Sequence, residues 1–290
     1  MNRPRGRCNA PWKRWAVMVT AILCLAWFFW WSNTALQTET FDFVSDRLPE
    51  AFDGSRVVIL SDLHGATFGE NNGKLTAAVT AAQPDAIVVT GDLEDRFRGH
   101  DPAWVQQTAE LLVSVAPVYY VTGNHEWANG DVRSLKKTLQ ETGWTVLDNR
   151  SAAIERDGAF ILLAGVDDPN GYVDQKSPET VAAALHAQYG DPFWILLAHR
   201  NNFFEKQYSL LGADLTISGH GHGGMIRLPL TDGLLSVDRT LFPSYTAGFY
   251  EANGATVFVS RGLGNSGPSF RLFNRPQVAV VTLRSGGSSK

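Results

Sequence analysis

Cysteine is nearly absent from this chain of 290 residues: only Cys8 and Cys24 occur, both before Ser32. The rest of the chain has no disulfide and no thiolate metal ligand, so a metal there must be held by nitrogen and oxygen. Positive charge is not in excess either, with 25 Lys and Arg against 29 Asp and Glu and a net charge of -4. Lacking a broad basic surface, the chain is not expected to bind nucleic acid. Charged residues make up 19% and hydrophobic residues 44%, which excludes a disordered chain and allows one substantial core. Internal repeats, low-complexity segments and a linker dividing the body are also missing.

One long hydrophobic run is present. Arg3, Arg5, Arg7, Lys13 and Arg14 crowd the front, directly before the apolar stretch from Trp15 to Trp31. At 1.5 Å per residue that stretch makes a helix of about 25 Å, sufficient with its aromatic flanks to cross a bilayer core. Trp12, Trp15, Trp27, Trp30 and Trp31 are placed as interfacial anchors, and the basic cluster holds the N-terminus in the cytoplasm. The chain then divides into a basic cytoplasmic N-terminus (1–14), a transmembrane anchor (15–31), a stalk and lead-in (32–47), a main domain (48–284) outside the cytoplasm, and a flexible tail (285–290). The competing reading is a cleaved secretory signal. Ser32-Asn33-Thr34-Ala35 lacks a small-x-small cleavage site, and the run is long for a signal core.

In the main domain, short apolar runs alternate with helical stretches. Arg56 to Leu60 and Asp85 to Thr90 read as buried strands, with helices over 72–83, 101–115 and 131–142 between and after them. Val118 to Thr122 is a third strand, and a hairpin is expected around Arg156-Asp157-Gly158. A helix over 178–189 precedes strands ending at His199 and Ser218. Two late strands, Thr256 to Ser260 and Gln277 to Leu283, are assigned to a second sheet. This is an α/β pattern, which places functional residues at the carboxyl ends of strands.

Polar residues collect at those ends: Asp62, His64, Asp92, Asn124, His125, His199, His220 and His222. Five of the seven histidines fall in this set, too many for ordinary core histidines; His100 and His186 keep a structural reading. Alternation by two along an extended chain points Asp62 and His64 the same way. The glycines around His220 and His222 leave room for a metal to approach. Imidazole, carboxylate and amide oxygen without thiolate suit Mn, Fe or Zn better than Mg or Ca. There are more candidate ligands than one ion needs, and a shared carboxylate holds two ions about 3.5–4 Å apart.

Asp62-x-His64, Gly91-Asp92, Gly123-Asn124-His125-Glu126, His199 and Gly219-His220-x-His222 together resemble, complete and in order, the calcineurin-like metallophosphoesterases, over Arg56 to Gly224. The resemblance implies a four-layer α-β-β-α sandwich preceded by one transmembrane helix. It also implies two divalent ions: Asp62, His64 and His222 on the first, Asn124, His199 and His220 on the second, and Asp92 between them. His125 is then the catalytic histidine, contacting the phosphate and helping the leaving oxygen depart. Leu48-Pro49 through Phe52-Asp53-Gly54, Gly165 to Asp168, Gly219 to Arg227 and Ser260 to Gly264 look like the bacterial, single-pass, membrane-anchored branch. That similarity implies a cytoplasmic-membrane phosphodiesterase with a metal-bound hydroxide nucleophile and a lipid or cell-envelope phosphoester as candidate substrate. Two alternatives stay open: hydrolysis of the UDP-2,3-diacylglucosamine pyrophosphate, and a membrane-tethered metal-binding scaffold without turnover. The usual His-x-Pro is replaced by His199-Arg200-Asn201, a departure that bears on substrate contacts.

Four further readings are weaker. Arg261, among glycines, is a candidate substrate contact. Glu126 either orients His125 or pairs on the surface. Asp167 and Asp168 shape a turn or touch substrate. Phe242, Tyr245, Phe249 and Tyr250 line a lipid-tail site or pack in the second sheet.

Overall fold

The computed structural model describes residues 11–171, 175–228, 231–267 and 269–288. Arg3, Arg5, Arg7, Cys8 and the last two residues of the tail lie outside the described residues. In chain order the elements begin with α1 (Pro11–Thr34), β1 (Gln37–Ser45), β2 (Arg56–Leu60), α2 (Gly73–Ala81), β3 (Ala86–Thr90) and α3 (Pro102–Val113). Next come β4 (Val118–Val121), α4 (Asn124–Asn129), α5 (Val132–Glu141), β5 (Thr145–Val146), β6 (Arg150–Arg156) and β7 (Ala159–Val166). The chain finishes with α6 (Pro178–Tyr189), β8 (Trp194–Arg200), β9 (Leu215–Gly219), β10 (Gly248–Ala252), β11 (Ala255–Val259) and β12 (Gln277–Ser285).

The strands form two six-stranded sheets, ordered β1-β12-β2-β3-β4-β5 and β10-β11-β9-β8-β7-β6. Their central strands β2, β3, β4 and β7, β8, β9 run parallel within each sheet. Period-two alternation explains how four layers arise from continuous apolar runs. Val57, Ile59 and Val88 face the other sheet, meeting Leu163, Ile195 and Ile217. Their neighbours Val58, Leu60 and Val89 face outward onto Leu75, Val79, Leu112 and Leu139 of α2, α3 and α5. On the far side, Leu162 and Leu196 pack under Val181 and Leu185 of α6. Each such side chain contributes about 1.5–3 kcal/mol by leaving water, so the sandwich is held chiefly by the inter-sheet layer and its two helical covers. Local signals agree with this: Asp101 and Ser177 cap α3 and α6 ahead of Pro102 and Pro178, and Asp157-Gly158, both at positive φ, turn β6 into β7 as hairpin chemistry requires.

Three expectations are corrected. The stretch read as stalk and lead-in carries β1, an edge strand paired parallel to β12 from Gln37↔Gln277 to Ser45↔Ser285. Its residues alternate, with Phe41 and Phe43 turned into the inter-sheet layer, and a one-sided strand has too many polar residues to stand out as apolar. The last strand belongs to the first sheet, not the second: β12 lies between β1 and β2, antiparallel to β2. Finally, Asn124 and His125 do not end a strand but open the short helix α4.

Helix α1 is longer than the predicted 15–31. From Trp12 to Thr34 its mean hydropathy is 1.7, with 6% of the apolar window buried, so it is long and apolar enough to cross a membrane and is not covered by the body.

Candidate metal centre

The site lies where the strands of both sheets stop. Beyond β2 and β3, Asp62, His64 and Asp92 take left-handed backbone with φ of 51°, 49° and 50°, and beyond β9 His220 and His222 do so at 66° and 47°. Alternation therefore does not orient Asp62 and His64, since both have left the extended region. A non-glycine residue in this region costs on the order of 1–3 kcal/mol, and five of the seven expected ligands pay it. The bonds that hold them there run between loops. His64 N donates to Asp92 O at 2.9 Å, and His220 N donates to both carboxylate oxygens of Asp62 at 3.1 Å. Asp62 thereby ties the loop of one sheet to the loop of the other.

The side chains converge as two groups sharing one carboxylate. In the first, Nε2 of His64 and Nε2 of His222 are 3.0 Å apart, and Oδ1 of Asp62 lies 3.4 Å from His222 Nε2. In the second, Nε2 of His199 is 3.2 Å from His220 Nδ1 and 3.2 Å from Asn124 Oδ1. Oδ2 of Asp92 stands between them, 3.2 Å from His199 Nε2 and 3.8 Å from His64 Nε2. Among the described residues, Asp62, His64 and His222 form one group whose donor atoms lie within 4.8 Å of one another, and Asp92, His199 and His220 form another.

These residues fit divalent ions. Two ligand nitrogens at about 2.1 Å from one ion stand roughly 3.0–3.4 Å apart, which is the spacing of both imidazole pairs. His64 Nδ1, His222 Nδ1 and His220 Nε2, the nitrogens on the far side of each ring, are buried with no hydrogen-bond partner among the described residues, so no protein hydrogen bond there competes with the inward-facing nitrogens for a tautomer. His199 is fixed differently: its Nδ1–H donates to Thr90 O at 2.7 Å, which aims Nε2 into the cleft.

Electrostatics separates the groups. Burial pushes His64 and His220 down to about 3, keeping both neutral. For His199 burial also acts downward, but the charge of Asp92 and the bond to it prevail and raise it to about 10. Burial opposes ionisation of Asp62 and Asp92, yet His222 holds the first and His199 the second below the usual carboxylate range.

His125 packs edge-on to His64, ring centres 4.7 Å apart. Its Nδ1 is 3.1 Å from Asp95 Oδ1 and from the amide of Arg96, which leaves Nε2 for a ligand. Asp95 and Glu126 are contributors that motif reading missed or misjudged. Asp95 is buried and also accepts from Ser266 Oγ and Gly267 N; its only sequence signal is its place three residues after Asp92. Glu126 is not on the surface: it accepts the amides of Asp92 at 3.0 Å, Glu94 at 3.1 Å and Gly123 at 2.6 Å. Burial first, then the charge of Asp92, raise its carboxyl to about 8.

The remaining candidates have other partners. Arg261 pairs with Glu39 at 2.6 Å and bonds Gln37, so its guanidinium ties the loop to β1 instead of reaching for substrate. Asp168 holds Arg200 at 2.6 Å, and Asp167 holds Lys136 at 2.6 Å and the Thr122 hydroxyl. Tyr245 and Tyr250 pack at the edge of the outer layer of the second sheet and Phe249 against the inter-sheet layer, whereas Phe242 is 72% exposed. A cavity of about 280 Å³ opens beside His220, lined also by Asn201, Glu205, Lys206 and Tyr245.

Two imidazole–carboxylate groups sharing an Asp at strand ends define a metal-binding α/β protein of the phosphoesterase type. A profile of the calcineurin-like phosphoesterases matches residues 55–224, more than half of the chain, and the chain belongs to that family. It is 29% identical over 283 residues to a transmembrane protein with metallophosphoesterase domain from Danio rerio, covering 93% of this chain and 62% of that protein. A metallophosphoesterase of Aquifex aeolicus is 29% identical over 256 residues, covering 87% of this chain and 94% of its own length. One from Bacillus subtilis is 27% identical over 255 residues, with 86% of each chain covered.

Proposed function

We propose that the chain is a metal-dependent phosphodiesterase that works with two divalent ions, Mn, Fe or Zn, on a phosphoester in or near a membrane. The observation that carries this is the position of Asp92, one of whose oxygens faces both histidine groups at once. Asp62, His64 and His222 would hold one ion, and Asn124, His199 and His220 the other, with Asp92 between. The ions supply activation of water and neutralisation of phosphoryl charge.

The protein's own groups do the rest. The Arg96 amide donates to His125 Nδ1, which puts the ring proton on Nε2, so that Nε2 would meet the ester and carry that proton to the departing oxygen. Because Asp92 Oδ1 also accepts the His125 amide at 2.9 Å, the bridging carboxylate and the general acid move together. The cavity beside His220 gives room for one substituent of a diester. The anchor is part of the same proposal, with α1 spanning the cytoplasmic membrane and the basic flank placing the catalytic domain outside.

The test is hydrolysis of a nitrophenyl phosphodiester by the full-length chain with added Mn, Fe or Zn. Turnover lost on chelation and restored by metal is expected; metal binding without turnover of mono- or diesters would replace the enzyme reading with a scaffold. A reporter fused to Lys290 decides the topology, and activity on the cytoplasmic side would reverse the orientation.

A further inference from the structure

The segment that closes the metal cleft also runs alongside α1. On the cleft side, Leu263 N donates to Ser61 O at 3.0 Å, Gly264 N to Asp62 O at 2.7 Å, and Asn274 Nδ2 to His222 O at 2.7 Å. Ser266 and Gly267 hold Asp95. On the helix side, Asn33 of α1 clasps the backbone of Arg271, donating to its O at 3.0 Å and accepting from its N at 2.7 Å. Arg275 lies 4.6 Å over the Trp31 ring and donates to Ala35 O at 3.0 Å.

Between these anchor points two aromatic rings turn outward. Phe273 is 50% exposed and Phe270 40% exposed, yet they are not at the helix end. Phe273 lies 5.0 Å from Phe28 and Phe270 5.8 Å from Phe29, five to six residues before Thr34. At 1.5 Å per residue that is roughly 8–9 Å back along the helix. A helix that spans a bilayer carries its neighbours to the same depth. The end of α1, with Trp30, Trp31 and Arg275, has the amphipathic character of the headgroup boundary, and the two phenylalanines lie deeper, where an exposed aromatic ring costs least.

We propose that residues 269–275 seat the metal cleft on the bilayer, with Phe270 and Phe273 inserted beside α1. The substrate is then an amphiphilic phosphoester whose phosphate lies in the headgroup layer while its chains stay in the membrane. The occupant of this apolar rim is the lipid surface that α1 crosses. The inference rests on the anchor and hydrolase readings above and adds to them the depth of the loop and the class of substrate.

The experiment uses the full-length chain in phosphatidylcholine–phosphatidylglycerol vesicles, with Cys8 and Cys24 replaced by Ser and Phe273→Cys labelled with an environment-sensitive dye. Quenching by nitroxides on the acyl chains, with protection from dissolved iodide, is expected; iodide access without acyl quenching overturns the seating. In parallel, the double variant Phe270→Ser, Phe273→Ser is compared with the parent on a long-chain alkyl nitrophenyl phosphodiester embedded in the vesicles and on the dissolved methyl ester. Loss of insertion should lower hydrolysis of the embedded ester about tenfold and leave the dissolved ester unchanged. An equal fall on both substrates would mean that the rings only support the loop, and overturns the proposal. A label in the acyl region with no turnover of either ester refutes the hydrolase reading and spares the seating, whereas iodide access with turnover of the dissolved ester does the reverse.

Discussion

The half of the cleft around Asp62 holds His64 neutral, and the half around Asp92 holds His199 charged. His64 is pushed down to about 3 by burial, while His199, equally buried, is raised to about 10 because Asp92 lies 3.2 Å away. The first half is thus ready to accept an ion, and the second carries a proton that an ion must displace. Support differs too. Asp62 is fixed by the amide of His220 from the opposite sheet, whereas Asp92 depends on Glu126, which accepts the backbone amide of Asp92 itself and of Glu94 and Gly123. One half is held by a cross-sheet bond, and the other by a carboxylate under its own sheet.

The hardest test of that comparison is to change the two carboxylates separately. Asp92 faces both groups, so Asp92→Asn should lower turnover by about 10²–10³, the scale seen when one charge-stabilising group is removed, and should weaken binding of both ions. Asp62→Asn should remove one equivalent of metal and leave the other, as read by metal analysis after dialysis. Near-normal turnover with full metal content in Asp92→Asn would refute the bridging assignment.

A smaller effect is expected one layer out. Glu126→Ala leaves three buried amides without their acceptor and should reduce metal affinity about 10–100-fold, measured by competition with a chelating dye. Glu126→Gln should recover part of the loss, because a carboxamide oxygen still accepts the amides of Asp92 and Gly123. A loss confined to the Asp62 half would contradict the support described above.

Proton release distinguishes the halves most directly. Near pH 8 the metal-free protein carries the His199 proton and none on His64, so His64→Asn should leave the number of protons released on metal binding unchanged, whereas His199→Asn should lower it by about one. The sign is set by His199: below about 10 it is protonated and competes with the ion, so affinity in the Asp92 half rises with pH up to that value. His64, already neutral, should add no such slope to the Asp62 half above pH 5. Titration of metal into weakly buffered parent and variants reads both, and an equal fall in proton release from the two variants would erase the distinction.

Much of this candidate centre is legible in the sequence because the proposed ligands follow continuous apolar strands, and such runs locate strand ends well. Orientation is another matter. Strand alternation predicts that Asp62 and His64 align, but both sit at positive φ, a conformation stabilised by bonds to Gly91, Asp92 and His220 that lie far apart in the chain. The glycines near His220 illustrate the same limit. A Cβ at Gly219 would strike Ser61 and Asp62, and one at Gly221 would come within 2.6 Å of Asn201, so the space they leave is filled by protein and not by an approaching ion. Likewise β1 is built from polar alternation and completed only by β12, more than two hundred residues later. Asp95, Glu126 and the loop beside α1 depend on packing between loops, for which local pattern carries no signal.

The smallest expected effect concerns Arg271, the buried cation that connects the cleft loop to the helix. It is fully buried and faces carbonyls: its Nη2 donates to Gly264 O at 2.8 Å and Nη1 to Arg261 O at 2.8 Å, and burial lowers it to about 10. A planar guanidinium reaches both carbonyls at once, which an ammonium on a shorter reach does not. Arg271→Lys should therefore lower stability by about 1–3 kcal/mol through one unmet carbonyl, seen as a reduced Tm of the metal-free protein. Metal stoichiometry should stay at two, because Asp62 and His222 keep their own bonds to His220 N and Asn274. If instead the first ion were lost with little change in Tm, Arg271 would belong to the electrostatics of the Asp62 half, and that half would no longer be the one that is held without a cation.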